Sequence, residues 1–215
     1  MAKIVTLEQA LDSIKNSMTL MIGGFLAVGT PEPLIDGIVK HGIRDLTVIA
    51  NDTGFPDRGI GKLVVNHQVK KAIVSHVGTN PETGRQMNLK EMDVVLVPQG
   101  TLAEQIRAGG AGLGGFLTPT GLGTIVEEGK QKITVDGREF LLEKPLKADV
   151  ALLRADVADK AGNLLYRSSS RNFNPLMAMA AETVIVVPNK IVEIGEIDPD
   201  QVMTPGIFVD MIVQG

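Results

Sequence analysis

The chain has 215 residues, a formal charge of −4, 44% apolar residues, 3% aromatics, no tryptophan and no cysteine. That length suits one large domain or two small ones, and the apolar share is that of a chain burying a core of Val, Ile, Leu, Ala and Met. The composition excludes disulfides and thiol catalysis, and the scarcity of aromatics argues against a base-stacking nucleic-acid platform. No apolar run reaches the roughly 18 residues of a membrane span, and the opening MAKIVTLEQALDSIKNSM has no long apolar core. The expectation is a cytoplasmic protein with neither nucleic acid nor membrane as partner.

In chain order, Thr6-Leu7-Glu8-Gln9 reads as a capping box, with Leu7, Ala10, Leu11 and Ile14 following at helical spacing. Met18–Ile22 is a short buried strand, Gly23–Thr30 a loop, and Pro31 suits the first turn of the next helix. Leu34, Ile35, Ile38 and Val39 give that helix its apolar stripe, and Gly42 is its expected cap. LTVIAND, VKKAIVSHVG and MDVVLVPQG each hold a strand, and TLAEQIRAGG is helical, with Thr101 and Glu104 as a second capping box. ITVDGREFLLE (Ile133–Glu143) is a hairpin turning at Asp136-Gly137. DVALLRADVADKAGNLLYR holds two strands around Ala161-Gly162-Asn163. A helix follows Pro175, TVIVVPN is a strand, and VMTPGIFVDMIVQG closes the chain. Strands that are apolar almost throughout belong in a parallel sheet covered on both faces. The expected fold is therefore α/β: one domain over residues 1–215, an open, mainly parallel sheet covered by helices, with a β-hairpin excursion.

Glycines cluster at Gly23, Gly24 and Gly29, at Gly54, Gly59 and Gly61, and in the run Gly109–Gly115, each group read as a loop after a strand. Such loops present main-chain N–H groups to an anion, although tight turns with close packing explain glycines equally simply. None is G-x-G-x-x-G, and no Walker lysine follows. The histidines, His41, His67 and His76, lack metal-ligand spacing, so no metal site is expected. His41 suits a helix end, and His76 a strand terminus or rim. No G-x-S-x-G is present, and Glu127-Glu128 reads as a solvated loop pair. Asn51-Asp52-Thr53 and Gln99 stand at strand ends, where open α/β sheets bind ligands. Asn51 and Asp52 also fit plain loop capping. The Gln99 amide can stabilise negative charge developing on a carbonyl oxygen.

Five stretches, NSMTLMIGGFLAVGTP (Asn16–Pro31), ANDTG, SHVGTNPETGRQM, VPQGTLAEQIRAGGAGLGGFLTPTG and SRNFNPLMAMAAE, are collinear over essentially the whole chain. They resemble the signatures of the family I coenzyme A transferases, in particular alpha subunits of the acetate/acetoacetate or butyrate–acetoacetate type. The resemblance implies that Gly23, Gly24, Phe25, Leu26, Ala27, Val28 and Gly29 bind coenzyme A. It implies that Gln99 lies near the thioester carbonyl, with Asn51 close by. It also implies a substrate pair of acyl-CoA and a short-chain carboxylate, with no tightly bound cofactor. The family's nucleophile is a glutamate in a Ser-Glu-Asn-Gly motif on a beta subunit, and that string is absent here. A beta subunit is therefore the implied partner, two of each chain being usual, and no glutamate of this chain is nominated as nucleophile. Two other readings stand beside it. One is a sugar-phosphate isomerase, since the scaffold resembles ribose-5-phosphate isomerase and glucosamine-6-phosphate deaminase. The other is a non-catalytic CoA-binding module.

Overall fold

A computed structural model of the chain describes residues 2–214. Its first half alternates strand and helix: β1 (Lys3–Val5), α1 (Leu7–Leu11), β2 (Thr19–Ile22), α2 (Glu32–His41), β3 (Leu46–Ile49), α3 (Gly61–Val65), β4 (Val69–Val74), α4 (Pro81–Asn88), β5 (Asp93–Leu96) and α5 (Gln99–Gly110). The second half runs β6 (Phe116–Thr118), β7 (Lys132–Val135), β8 (Arg138–Glu143), β9 (Ala148–Asp159), β10 (Leu164–Leu165), α6 (Asn174–Ala178), β11 (Ala181–Val192) and β12 (Met211–Val213).

The main sheet has the order β1-β12-β11-β9-β2-β3-β4-β5, with every neighbouring pair parallel. Only β10, folded back on β9, is antiparallel. The pleat divides the apolar residues between two faces. Leu20 and Ile22 of β2, with Val150 and Leu152 of β9, pack with Leu34, Ile35, Ile38 and Leu63 from α2 and α3. Met21, Ala151 and Leu153 point the other way, onto Leu102 and Ile106 of α5 and Met177 of α6. The doubly covered parallel sheet expected from the sequence is thus the observed one. From β2 the chain builds outward through β3, β4 and β5, then returns to lay β9 on the other side of β2. The direction of winding reverses between β2 and β9, and such a switch point opens a crevice at the strands' carboxyl ends.

Local signals set several boundaries. The Thr6 hydroxyl accepts from the Gln9 amide at 3.2 Å while the Gln9 side chain accepts from Thr6 at 2.9 Å, completing the first capping box. Left-handed Gly42 (φ 63°) ends α2. His41, in the last turn of α2, pairs with Glu8 at 3.0 Å. Asp136 (φ 49°) and Gly137 (φ 75°) form the two-residue turn between β7 and β8.

Three expectations are corrected. Helix α5 begins at Gln99 behind Pro98, so Thr101 sits inside the first turn and caps nothing. Its buried hydroxyl has no hydrogen-bond partner, and Glu104 pairs with Arg107 at 2.8 Å instead. The glycine run Gly109–Gly115 begins in the last turn of that helix and continues beyond it, rather than following a strand. Finally, the hairpin gains a third strand, giving a separate antiparallel sheet in the order β6-β8-β7. Buried Glu143 moors it, accepting from Lys130 at 2.6 Å and from Gln105 of α5 at 3.0 Å.

Tyr166 is the chain's single tyrosine. It is buried in the second core, its hydroxyl 3.0 Å from that of Thr204. Burial pushes its ionisation up from 10.0 to about 12, the Thr204 contact opposing only in part. A group raised on folding contributes stability that is whole below its unfolded value and is lost as pH rises through its folded one. Absorbance at 295 nm is expected to titrate near pH 12 in the native protein and near 10 in denaturant. Stability should fall over that same window in the native chain and much less in Tyr166→Phe; a native midpoint near 10 would contradict the assignment.

Candidate active site

The loop after β2 is built by close approach. The Gly23 amide donates to the Leu152 carbonyl at 3.0 Å, carrying the β2–β9 pairing one residue further. A Cβ on Gly23 would lie 1.9 Å from Asn174 Oδ1, and Gly24 has φ 130°, where side chains are strained. Phe25 and Val28 then exchange backbone hydrogen bonds of 3.0 and 2.9 Å across a two-residue turn. That turn needs positive φ at both central positions, and it is made by Leu26 (48°) and Ala27 (68°) without a glycine. Each costs roughly 1–2 kcal/mol, so the conformation persists only where surroundings hold it.

Those surroundings are side chains from distant segments. Asn172 Oδ1 accepts from the Gly24 amide at 3.1 Å while its Nδ2 donates to the Val28 carbonyl at 3.0 Å. Asn174, fully buried, donates to the carbonyls of Gly29 at 3.1 Å and Ser170 at 2.9 Å. Its oxygen accepts from the Arg154 amide at 3.1 Å. From the other side, Asp52 Oδ2 accepts from the Leu26 amide at 2.9 Å. The outward rim is apolar, with Phe25 41% and Val28 49% exposed.

The loop after β3 repeats the pairing with a different turn, since Pro56 and Asp57 at its centre do not take positive φ. Gly54-Phe55-Pro56-Asp57-Arg58-Gly59 matches Gly24-Phe25-Leu26-Ala27-Val28-Gly29 in its glycine and phenylalanine positions. Phe55 and Arg58 pair as Phe25 and Val28 do. The Arg58 guanidinium lies 4.4 Å from the centre of the Phe55 ring. The two loops lie side by side, since a Cβ on Gly59 would meet that of Ala27 at 3.2 Å. Glu32 of α2 accepts from the Gly59 amide at 2.7 Å and from Lys62 at 2.7 Å, and Asp36 takes Lys62 at 2.6 Å. Burial alone would lower the Lys62 ammonium, but these two carboxylates hold it above its ordinary value.

A chain of amides links the strand ends. Gln99, exposed at the start of α5, donates through Nε2 to Asn51 Oδ1 at 2.6 Å. Asn51 is buried at the end of β3 and donates through Nδ2 to Asp52 Oδ2 at 2.7 Å. Ser75, following β4, lies 3.0 Å from Asn51 Oδ1 and donates to the Asn51 carbonyl at 2.8 Å. Asp52 Oδ1 accepts from the Gly54 amide at 2.8 Å. Pro98 provides no side-chain cap, so the positive end of α5 opens beside Gln99.

The structure therefore brings Asn51 and Gln99 together and joins them to residues 23–29 through Asp52. His76 is exposed beside Asp52 at the end of β4. The run Gly109–Gly115 is elsewhere. Gly109, Gly110 and Gly112 line a cavity of about 330 Å³ with Thr19, Ala148, Asp149, Ala181 and Glu182. Those last residues start β2, β9 and β11, so this cavity lies at the opposite end of the sheet. Glu127 is not a free member of a loop pair: the Gly123 amide at 2.7 Å and then Lys132 at 3.0 Å hold its carboxyl below the usual range. Asp52, Asn172 and Asn174 are structural keys that sequence reasoning missed as such. The only local trace of the last two is an Asn-x-Asn-Pro that runs into the start of α6.

A parallel α/β sheet with strained glycine loops, oriented amides and an open helix end at its switch point is the build of a protein that seats a polar or anionic group against main chain. Residues 4–215 match the model of the Coenzyme A transferase family, and the chain belongs to that family. It is 59% identical over 211 residues to the acetate CoA-transferase subunit alpha of Escherichia coli (strain K12), covering 98% of this chain and 96% of that one. It is 52% identical over 213 residues to the acetoacetyl-CoA:acetate/butyrate CoA transferase alpha subunit of Clostridium acetobutylicum, covering 99% and 98%. In fold it is similar to an acyl-CoA transferase from E. coli O157:H7 solved as a thioester complex with CoA, at TM-score 0.87 and 23% identity. That likeness covers all of this chain and 47% of the other, so the chain spans about half the length of that solved protein.

Proposed function

We propose that this chain, residues 1–215 acting as one domain, is the alpha subunit of a cytoplasmic CoA-transferase that exchanges CoA between a short-chain acyl-CoA and a free acid such as acetate, butyrate or acetoacetate. A beta subunit supplies the glutamate nucleophile, in an assembly of two alpha and two beta chains. Support comes from the two relatives, whose names specify those acids and an alpha subunit. No helix among the described residues is long and apolar enough to cross a membrane.

The observation that carries the reading is the continuous hydrogen-bonded path from Gln99 through Asn51 and Asp52 to Leu26. It places a side-chain amide and the proposed CoA loop, Gly23 to Gly29, on one frame. In the proposed reaction the partner's carboxylate attacks the thioester carbonyl and CoA leaves as thiolate. The thiolate then attacks the glutamyl carbonyl of the resulting anhydride, releasing the first acid and leaving a glutamyl–CoA thioester. The second acid runs the steps in reverse. Exchanging one acid for another on the same thiol changes little in free energy, so the route needs no ATP and no tightly bound cofactor. This chain's part is to seat the pantetheine arm along residues 23–29 and to offer the Gln99 amide to the developing oxyanion, with Asn51 setting its place.

Gln99→Ala in the assembled enzyme tests this. Losing one oxyanion donor of this kind lowers kcat by about 10²-fold with KM for acyl-CoA nearly unchanged. A raised KM with intact kcat would assign Gln99 to binding alone. The sugar-phosphate reading loses its phosphate loop, since Gly109–Gly115 lies at the far end of the sheet.

A further inference from the structure

Asp52 is 3% exposed and has no cationic partner among the described residues. Its two oxygens are met instead by three N–H groups from three places. These are Leu26 in the first hairpin loop, Gly54 in the second, and the Asn51 side chain. An unpaired buried carboxylate is expensive, and three N–H donors are what makes it tolerable. Loop capping alone would need only the Gly54 contact, two residues on.

The chemistry of the third contact has a consequence. A primary amide can be turned by 180° at little steric cost, so a chain of two amides has two senses. A carboxylate only accepts, so Asn51 must turn Nδ2 towards Asp52. Asn51 Oδ1 then faces Gln99, which must answer with Nε2. Ser75 does not fix the sense, because a hydroxyl accepts as readily as it donates. Among the groups hydrogen-bonded to the two amides, Asp52 alone dictates their order.

We propose that Asp52 is a positioning residue that orients the Gln99 amide through Asn51, fixing where the remaining Gln99 N–H is presented at the strand ends. The same carboxylate holds the Leu26–Ala27 turn, so loop and amide are set by one group. This rests on the role given to Gln99 above. With Asp52 replaced by asparagine, the acceptor-only end is lost and both amides can reverse. Reversal exchanges the Gln99 nitrogen and oxygen, a displacement of about 2 Å, enough to spoil an oxyanion contact.

The test is a double-mutant cycle in the assembled two-subunit enzyme: wild type, Asp52→Asn, Gln99→Ala and the pair, with kcat and the KM for acetyl-CoA measured for each. Asp52→Asn is expected to lower kcat about tenfold when Gln99 is present and less than about twofold when it is alanine, because groups acting through one another are not additive. An equal loss in both backgrounds would overturn the proposal and leave Asp52 a support of the loops. Unchanged kcat in Gln99→Ala alone would remove the role of Gln99, and with it this one. Should Asp52→Asn not fold, Asn51→Leu cuts the same path with the carboxylate in place. It is expected to show the same dependence on Gln99, and an unchanged kcat in Asn51→Leu would contradict the inference.

Discussion

Purified alone, the chain is expected to transfer no CoA between acetyl-CoA and butyrate. Adding a beta subunit that carries Ser-Glu-Asn-Gly is expected to raise the rate by at least about 10⁴-fold, the scale on which loss of a covalent nucleophile is felt. The reason lies in the carboxylates of the two hairpin loops and the helix beside them. Asp52 is buried under three N–H donors. Glu32 is held by Lys62 and the Gly59 amide. Asp57 is exposed at the tip of its loop, 3.8 Å from Arg58. None of the three is hydrogen-bonded to the Gln99 amide, which donates to Asn51. Robust turnover by the chain without its partner would refute the division of labour.

Gly23→Ala is the point change with the largest expected effect on the fold of the site. The added methyl would stand 1.9 Å from Asn174 Oδ1. Asn174 is fully buried, and its amide bonds the backbone of Gly29, Ser170 and Arg154. Displacing it leaves buried groups unpaired at about 1–3 kcal/mol each, for a total loss on the order of 2–4 kcal/mol. In a chain of this length that lowers Tm by roughly 5–15 °C. The loop from Gly23 to Gly29 loses its underside at the same time, so KM for acyl-CoA should rise at least about tenfold in whatever protein remains folded. Scanning calorimetry and initial rates read both; a Tm and KM like those of the parent would show that the loop is not braced as described.

The fold was legible where local chemistry and burial agree. Apolar strands such as LTVI, the Thr6 capping box, Gly42 and Asp136-Gly137 act over a few residues, and the structure follows them. Thr101 misled because Pro98, three residues ahead, already sets the helix start, which leaves Thr101 buried inside the first turn instead of at the cap. Strand β1 is three residues long with little apolar pattern, and its pairing partner β12 lies at the other end of the chain. The candidate site was half legible by the same logic. Asn51 and Gln99 stand out at strand ends. What holds them and the glycine loop does not, because Asn172 and Asn174 reach back about 145 residues and Asp52 looks locally like an ordinary loop cap.

The most direct measurement is a crystal structure of the two-subunit complex with CoA bound as the glutamyl thioester. The sulfur-linked carbonyl should lie within hydrogen-bonding reach of Gln99 Nε2, with the pantetheine arm running against residues 23–29. CoA lodged away from both, for instance at the cavity where β2, β9 and β11 begin, would contradict the account.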